Sequence, residues 1–169
     1  IHSVCFVSNH YHAIVTDSEG RISEFWEYFH KYVAKCINAS LGRWENLWDN
    51  GAPSAVRLET QDAILAKIVY TLTNPVQAGL VKSGRKWPGL WGYKPGDTIT
   101  VKRPEVFFRK NGPMPETATL TFVRPEAFQD VSNKTYAKMV EDAVHVEEMK
   151  IHAEIKQEGF GYLGLKGIM

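Results

Sequence analysis

The sequence Ser8-Asn9-His10-Tyr11-His12-Ala13-Ile14-Val15 decides how the rest of the chain is interpreted. It lies within a run of β-forming residues that begins at residue 4, which predicts one extended segment. Side chains alternate between the two faces of a strand, so His10 and His12 are expected on one face, together with Ile14. Two imidazoles at this spacing can hold a divalent metal between them. The same spacing also fits two half-exposed histidines that bind no ligand.

A second informative stretch is a predicted helix that begins at Thr60 as N-cap and ends at Asn74-Pro75. At about 100° per residue, Tyr70 falls off the apolar stripe, and Asn74 lies on the side of Tyr70 one turn later. Lys67 is a cation beside them. A tyrosine kept off the core with a polar partner one turn away suits a reactive site, but an exposed surface tyrosine fits too. The stripe itself contains Ile64, Leu65, Ile68, Val69 and Leu72.

The two stretches together resemble a known family. His-hydrophobic-His on a strand, followed by a helix with Tyr-x-x-x-Asn-Pro-Val-x-Ala-x-Leu-Val, is similar to the single-tyrosine HUH transposases, in particular the REP-associated tyrosine transposases. The matching residues are Asn9-His10-Tyr11-His12 and Tyr70 to Val81, and the resemblance covers residues 3–93. It implies an α+β, ferredoxin-like fold: an antiparallel sheet with helices on one face. The family has a strand and a helix before the histidine segment, so we expect residues 1–93 to be an N-terminally truncated domain.

The resemblance also implies a reaction. Enzymes of this family cut single-stranded DNA, often at palindromic hairpins, through a 5′-phosphotyrosine intermediate that frees a 3′-hydroxyl. Tyr70 would be the nucleophile, and His10, His12 and the side-chain oxygen of Asn74 would be metal ligands. Mixed nitrogen and oxygen ligation suits Mg²⁺ or Mn²⁺, and such an ion makes the phosphorus more electrophilic and stabilises the transition state.

Residues expected to contact single-stranded or hairpin DNA are Asn9, Arg43, Arg57 and Lys67. Residues 43–48 and 54–59 are predicted to pair as a hairpin across a turn, with tryptophans that either pack together or stack on nucleobases. Residues 82–93 are basic and aromatic. They predict either a closing loop that packs its tryptophans or part of a nucleic-acid surface, and packing is the commoner fate of Trp.

Beyond residue 93 the composition changes. Residues 94–130 are interpreted as a β-rich extension, with strands at 98–102, 106–108 and 117–123 in a half-buried antiparallel sheet. Residues 131–169 are interpreted as a helix that begins at Ser132, followed by a tail. The apolar stripe of this helix fades after Val146, so we expect it to leave the body of the protein or to dock only in part. In the first domain, an amphipathic helix is predicted over residues 22–38, with Gly42 as its stop.

Composition excludes two classes of protein. A chain of 169 residues that is 44% hydrophobic is neither disordered nor, without a long apolar run, a membrane protein. The net charge of +1 neither supports nor excludes a nucleic-acid partner, because phosphate binding needs only a local basic patch. Two cysteines in apolar patterns indicate a reducing compartment, so a cytoplasmic location is expected. The sequence leaves the oligomeric state open.

Three functions are compatible with these residues. The first is a transposase-like, metal-dependent DNA endonuclease and strand transferase. The alternative is a domesticated protein that binds hairpin nucleic acid without cutting it. The third is a metal-dependent hydrolase in which His10 and His12 activate a water, with no role for Tyr70.

Overall fold

The computed structural model describes residues 1–51, 53–106, 109 and 111–168. The fold is α+β, with strands in two antiparallel sheets, as predicted. Whether it is ferredoxin-like stays a prediction. The strands are β1 (Ser3–Phe6), β2 (Tyr11–Ile14), β3 (Trp91–Gly92), β4 (Thr98–Lys102) and β5 (Thr117–Thr121), and the helices are α1 (Ile22–Leu41), α2 (Gln61–Gln77), α3 (Asn133–Gln157) and α4 (Gly164–Ile168). None of the described helices combines the length and apolar character needed to cross a membrane.

The chain forms two compact units that are each discontinuous in sequence. The first unit contains residues 1–16, 58–97 and 121–169, and the second contains residues 17–57 and 98–120. The division into sequence domains 1–93, 94–130 and 131–169 stays a prediction.

The histidine segment of the first unit is a hairpin, so the prediction of one continuous extended segment was wrong. β1 pairs antiparallel with β2, with Cys5 opposite His12. The chain reverses between them, and the Val7 amide donates to the carbonyl of His10 at 3.0 Å. Ser8-Asn9 provides the physical reason, since both residue types bond their own backbone in turns and tolerate turn geometry. The histidines therefore lie near the turn of the hairpin, with His10 at the end of the turn and His12 within β2.

The segment at residues 82–93 packs its tryptophans, which confirms the favoured interpretation. β3 lies on the other side of β1, with Cys5 opposite Trp91. The Trp87 side chain is buried, and its indole donates to the carbonyl of Phe6 at 2.6 Å. The Trp91 indole donates to the carbonyl of Leu72 at 2.9 Å. Both rings thus close the sheet against α2 and the hairpin.

Helix α2 begins as predicted but does not end as predicted. The Thr60 hydroxyl accepts from the Ala63 amide at 3.1 Å, which confirms the N-cap. The prediction that Asn74-Pro75 stops the helix was wrong, because α2 runs through Pro75 to Gln77. A proline inside a helix removes one hydrogen bond and pushes on the preceding turn, so nearby carbonyls need other donors. The carbonyl that loses its donor is that of Thr71, and the Trp91 indole bonds to the next carbonyl, that of Leu72.

The core of the first unit lies between α2 and α3. Ile68 and Leu72 of α2 are fully buried, as the apolar stripe predicted, and they pack with Tyr136 and Val140 of α3. Ser132 caps α3 through its hydroxyl, which accepts from the Thr135 amide at 3.0 Å, so that N-cap is confirmed too.

The expectation that α3 docks only in part was wrong. Ile151, more than four turns from the start of α3, is 4% exposed and packs in a second cluster with Cys5, Val76 and Trp87. The buried positions Val144 and Ile151 are seven residues apart, a spacing that returns to the same helix face. The Glu148 carboxylate, which accepts from the Gly84 amide at 2.8 Å, also holds the distal half of α3.

In the second unit, α1 ends at Gly42 in the left-handed conformation (φ +63°), as predicted. No residue of α1 is buried, and Phe25 is 53% exposed. The hairpin predicted at residues 43–48 and 54–59 was wrong, since the structure has no strand in the described part of either segment. Instead, the Trp48 indole donates to the carbonyl of His30 on α1 at 2.8 Å. The half-buried indole of Trp48 is thus anchored to a helix instead of a partner strand.

The second sheet joins β4 and β5. Both strands lie within their predicted ranges, at 98–102 and 117–123, although β5 ends at Thr121. The prediction of a half-buried sheet was wrong, because one residue in each strand is partly covered and the others are exposed. Of the strand predicted at 106–108, Phe107 and Phe108 lie outside the described residues.

Candidate active site

Strand β2 and helix α2 bring three of the predicted site residues together. His12 Nε2 lies 3.2 Å from Asn74 Nδ2. The rings of His12 and Tyr70 meet edge to face, with centroids 5.1 Å apart. Asn74 follows Tyr70 by one helical turn, so both side chains reach the same histidine. The structure thus assembles, from segments about sixty residues apart, the cluster that the two motifs predicted.

His10 completes this cluster from the hairpin turn. Its ring lies edge to face with that of His12, with centroids 5.0 Å apart. The expectation that the two histidines share a face is therefore confirmed. His10 Nδ1 lies 2.8 Å from the side-chain oxygen of Asn9. An amide oxygen only accepts, so Nδ1 carries the hydrogen, and the lone pair of His10 is on Nε2.

Electrostatics keep His12 in the neutral form that a metal ligand requires. Burial lowers the pKa of His12 from its usual value, and the neighbouring His10 and Lys67 lower it further. The Asn74 amide nitrogen is a donor, so it bonds to the lone pair of His12 Nε2. Both histidines therefore carry their lone pair on Nε2, and in this structure that of His12 accepts from the Asn74 amide.

Asn74 carries an unmet hydrogen-bonding demand. The residue is 6% exposed, and its side-chain oxygen has no hydrogen-bond partner among the described residues. A buried acceptor without a partner costs about 1–3 kcal/mol. A cation bound beside the histidines would satisfy such an oxygen. The amide nitrogen faces His12 in this structure, and a half-turn of the terminal amide exchanges it with the oxygen.

The residues present fit a hard or borderline divalent cation. Two imidazole nitrogens and one amide oxygen are neutral donors of the types that Mn²⁺ and Mg²⁺ accept in mixed sites. The described residues contain no cluster of three or more His, Cys, Asp or Glu side chains suited to a metal ion. A third protein ligand for a metal at the two histidines must therefore be of another type, and the amide of Asn74 is one.

Tyr70 is accessible, as its position off the apolar stripe predicted. Its side chain is 40% exposed, and Lys67 Nζ lies 5.1 Å from the centroid of its ring. The phenol ring thus contacts both a cation and His12. Such a hydroxyl is free to meet a phosphate from solvent, which a buried tyrosine would not be.

One feature near Tyr70 escaped sequence reasoning. A groove of about 680 Å³ runs between α2 and α3, with Tyr70, Lys67 and Gln77 on one wall and Val146 and Lys150 on the other. We expected α3 to leave the body of the protein or to dock only in part after Val146, so it was not assigned to the site. The seven-residue recurrence from Val144 to Ile151 is the signal that would have placed it there.

The residues predicted to contact DNA are divided between the two units. Asn9 and Lys67 lie in the first unit and touch the cluster, through His10 and Tyr70 respectively. Arg43 and Arg57 lie in the second unit. The Arg43 guanidinium is 3.6 Å from the Glu45 carboxylate. Nucleic-acid contact by all four residues stays a prediction.

Comparison of the chain with protein-family models, with curated proteins and with solved structures found no match. The family relationship therefore stays a prediction from the two motifs.

Proposed function

We propose that the protein is a metal-dependent, single-tyrosine DNA endonuclease and strand transferase of the transposase type, acting on single-stranded hairpin DNA. The observation that carries this proposal is the convergence of an accessible tyrosine, two histidines and a buried, unpartnered amide oxygen. The ring of Tyr70 lies 5.1 Å from that of His12, and His12 is in hydrogen-bond contact with Asn74.

The proposed reaction exchanges one phosphoester for another. The Tyr70 oxygen attacks the phosphorus of a DNA phosphodiester, and the bond from phosphorus to the 3′-oxygen breaks. The 3′-oxygen leaves with the bonding electrons and takes up a proton in place of the one lost by Tyr70. The products are a 3′-hydroxyl and a 5′-phosphotyrosine on the protein. Because the number of phosphoester bonds is unchanged, the step is reversible and needs no nucleotide cofactor.

A free tyrosine hydroxyl, with a pKa near 10, is a weak nucleophile at neutral pH, so the site has to supply the activation. A divalent metal, when bound, draws charge from the phosphate oxygens and stabilises the transition state. His10, His12 and Asn74 would hold that ion. Tyr70 and Asn74 are fixed one turn apart on one helix, so the helix itself sets the position of the nucleophile relative to a metal ligand.

The test is a hairpin oligonucleotide labelled at its 3′ end, incubated with Mn²⁺ and resolved on a denaturing gel with and without protease. We expect the wild-type chain to produce a shortened, protease-sensitive adduct. Tyr70→Phe should bind the hairpin within a few-fold of wild type and give neither cleavage nor adduct. Tyr28→Phe is the matched control: Tyr28 is a 55% exposed tyrosine of α1, and its variant should behave as wild type.

The other outcomes are equally informative. An adduct formed by Tyr70→Phe would overturn the proposed nucleophile. Cleavage by that variant without an adduct would favour a hydrolase that uses an activated water. Binding without cleavage by the wild-type chain would favour a hairpin-binding protein. His12→Ala should abolish cleavage in either enzymatic case, because it removes a ligand from the centre of the cluster.

A further inference from the structure

The Asn9 side chain has a contact that its predicted role in DNA binding does not explain. Its amide oxygen lies 2.8 Å from His10 Nδ1. Asn9 and His10 are both in the hairpin turn, which the bond from the Val7 amide to the His10 carbonyl closes at 3.0 Å. The first bond thus holds the imidazole of His10, and the second holds its backbone. His10 itself is exposed, so burial does not fix the orientation of its ring.

The direction of this hydrogen bond decides which nitrogen of His10 is a ligand. A neutral imidazole has one N–H and one lone pair, and the partner of one nitrogen sets the state of the other. Because the amide oxygen accepts, the hydrogen is on Nδ1 and the lone pair is on Nε2. In proteins whose histidines bind metals, the second ring nitrogen usually donates to an oxygen in this way.

His12 also has its lone pair on Nε2, but a different residue determines this tautomer. Its ring is half-buried in the cluster, and the donor at its Nε2 is the amide of Asn74, on another element. The two histidines therefore have independent supports, one in the turn and one on α2. A change at Asn9 should affect His10 and leave His12 as it is.

We propose that Asn9 is a positioning residue that fixes His10 in the Nδ1–H tautomer and so presents Nε2 to a divalent cation. The identity of the ligand as a metal rests on the proposed function, but the tautomer does not. The proposal gives Asn9 a role in ordering the site, in addition to any contact with nucleic acid.

The first test measures the tautomer in the metal-free chain, without DNA. Two-dimensional ¹⁵N NMR of the histidine rings at about pH 9, above the ordinary imidazole pKa of about 6.5, distinguishes Nδ1–H from Nε2–H. The loss of one signal in His10→Gln assigns the resonance. We expect mainly Nδ1–H in wild type and in Asn9→Asp, whose carboxylate also accepts, and a shift towards Nε2–H in Asn9→Ala. An unchanged tautomer in Asn9→Ala would overturn the proposal.

The second test measures Mn²⁺ binding by calorimetry. Loss of a supporting hydrogen bond on a histidine ligand typically costs 10–100-fold in metal affinity, so we expect a loss of about that size for Asn9→Ala. Ser8→Ala, an exposed neighbour in the same turn, should bind Mn²⁺ as wild type does. Wild-type affinity in Asn9→Ala would overturn the positioning role. A wild-type chain that binds no Mn²⁺ would overturn the proposed function instead, and the tautomer measurement would still decide the role of Asn9.

Discussion

Replacing Asn74 with leucine should stabilise the metal-free protein while removing a metal ligand. Leucine has the same number of heavy atoms beyond Cγ as asparagine and no polar atoms, so Asn74→Leu removes the buried oxygen that lacks a partner. It also removes the donor to His12 Nε2, 3.2 Å away. His12 is half-buried, so its nitrogen can bond to water instead.

The size of the stability change follows from the removal of the unpartnered oxygen and from the loss of the hydrogen bond to His12. An unpartnered buried acceptor costs about 1–3 kcal/mol, and a hydrogen bond of ordinary geometry contributes about 0.5–1.5 kcal/mol. Their difference predicts a net gain of about 1 kcal/mol in the free energy of unfolding of Asn74→Leu. For a chain of this length, that gain raises the melting temperature by about 2–4 °C. Thr73→Val is a control that should lose stability, because Thr73 is buried and its hydroxyl already donates to the Val69 carbonyl at 3.0 Å.

The assay is urea unfolding with and without Mn²⁺. Without metal, Asn74→Leu should be more stable than wild type and Thr73→Val less stable. At Mn²⁺ a hundredfold above the dissociation constant, wild type and Thr73→Val should each gain about 2.7 kcal/mol, whereas Asn74→Leu should gain almost nothing. The order of wild type and Asn74→Leu thus reverses. A metal-free Asn74→Leu that is less stable than wild type would refute the inference that the unpartnered oxygen of Asn74 lowers the stability of the metal-free protein.

Three further predictions concern the first unit. Burial raises the pKa of Cys5 to about 12, so only about one in ten thousand molecules carries its thiolate at pH 8, and mass spectrometry should find Cys5 labelled by a thiol reagent only after unfolding. Trp91→Phe removes the indole donor to the Leu72 carbonyl and should lower the free energy of unfolding by about 1–3 kcal/mol, as measured in urea. Burial lowers the pKa of His2, so this side chain binds a proton more readily in the unfolded chain than in the folded one. The free energy of unfolding should therefore have its full value above about pH 6.5 and fall at lower pH, with a smaller fall in His2→Gln.

Patterns of residues close together in the sequence, such as helical apolar spacing and N-cap residues, were sufficient to predict part of this structure. The 3.6-residue spacing of the α2 stripe placed Ile68 and Leu72 in the core and Tyr70 outside it, as observed. The N-caps at Thr60 and Ser132 depend on one hydroxyl and the next backbone turn, so they too could be predicted. In both cases the determining contacts lie within a few residues in sequence.

Features that depend on distant contacts were missed. The apolar run that surrounds Ser8 has the same alternation whether it forms one strand or two, and only the pairing of Cys5 with His12 distinguishes them. The predicted strand pairing at residues 43–59 failed because the Trp48 indole found a carbonyl on α1. Likewise, the spacing within α3 indicates which face of the helix is apolar, but not that Cys5 and Trp87 cover Ile151.

The error at Pro75 bears on the site itself. The residue before a proline normally leaves helical geometry, so Asn74 was expected at the end of α2. Instead, the helix continues, held by the fully buried side chain of Val76 and by the Trp91 indole at the Leu72 carbonyl. Only a helical backbone at residue 74 places the amide one turn from Tyr70 and against His12. The helix thus departs from the local rule for the residue before a proline, and tertiary contacts stabilise this departure. It occurs at the position where the candidate site needs its third ligand, and departures of this kind are expected at functional sites.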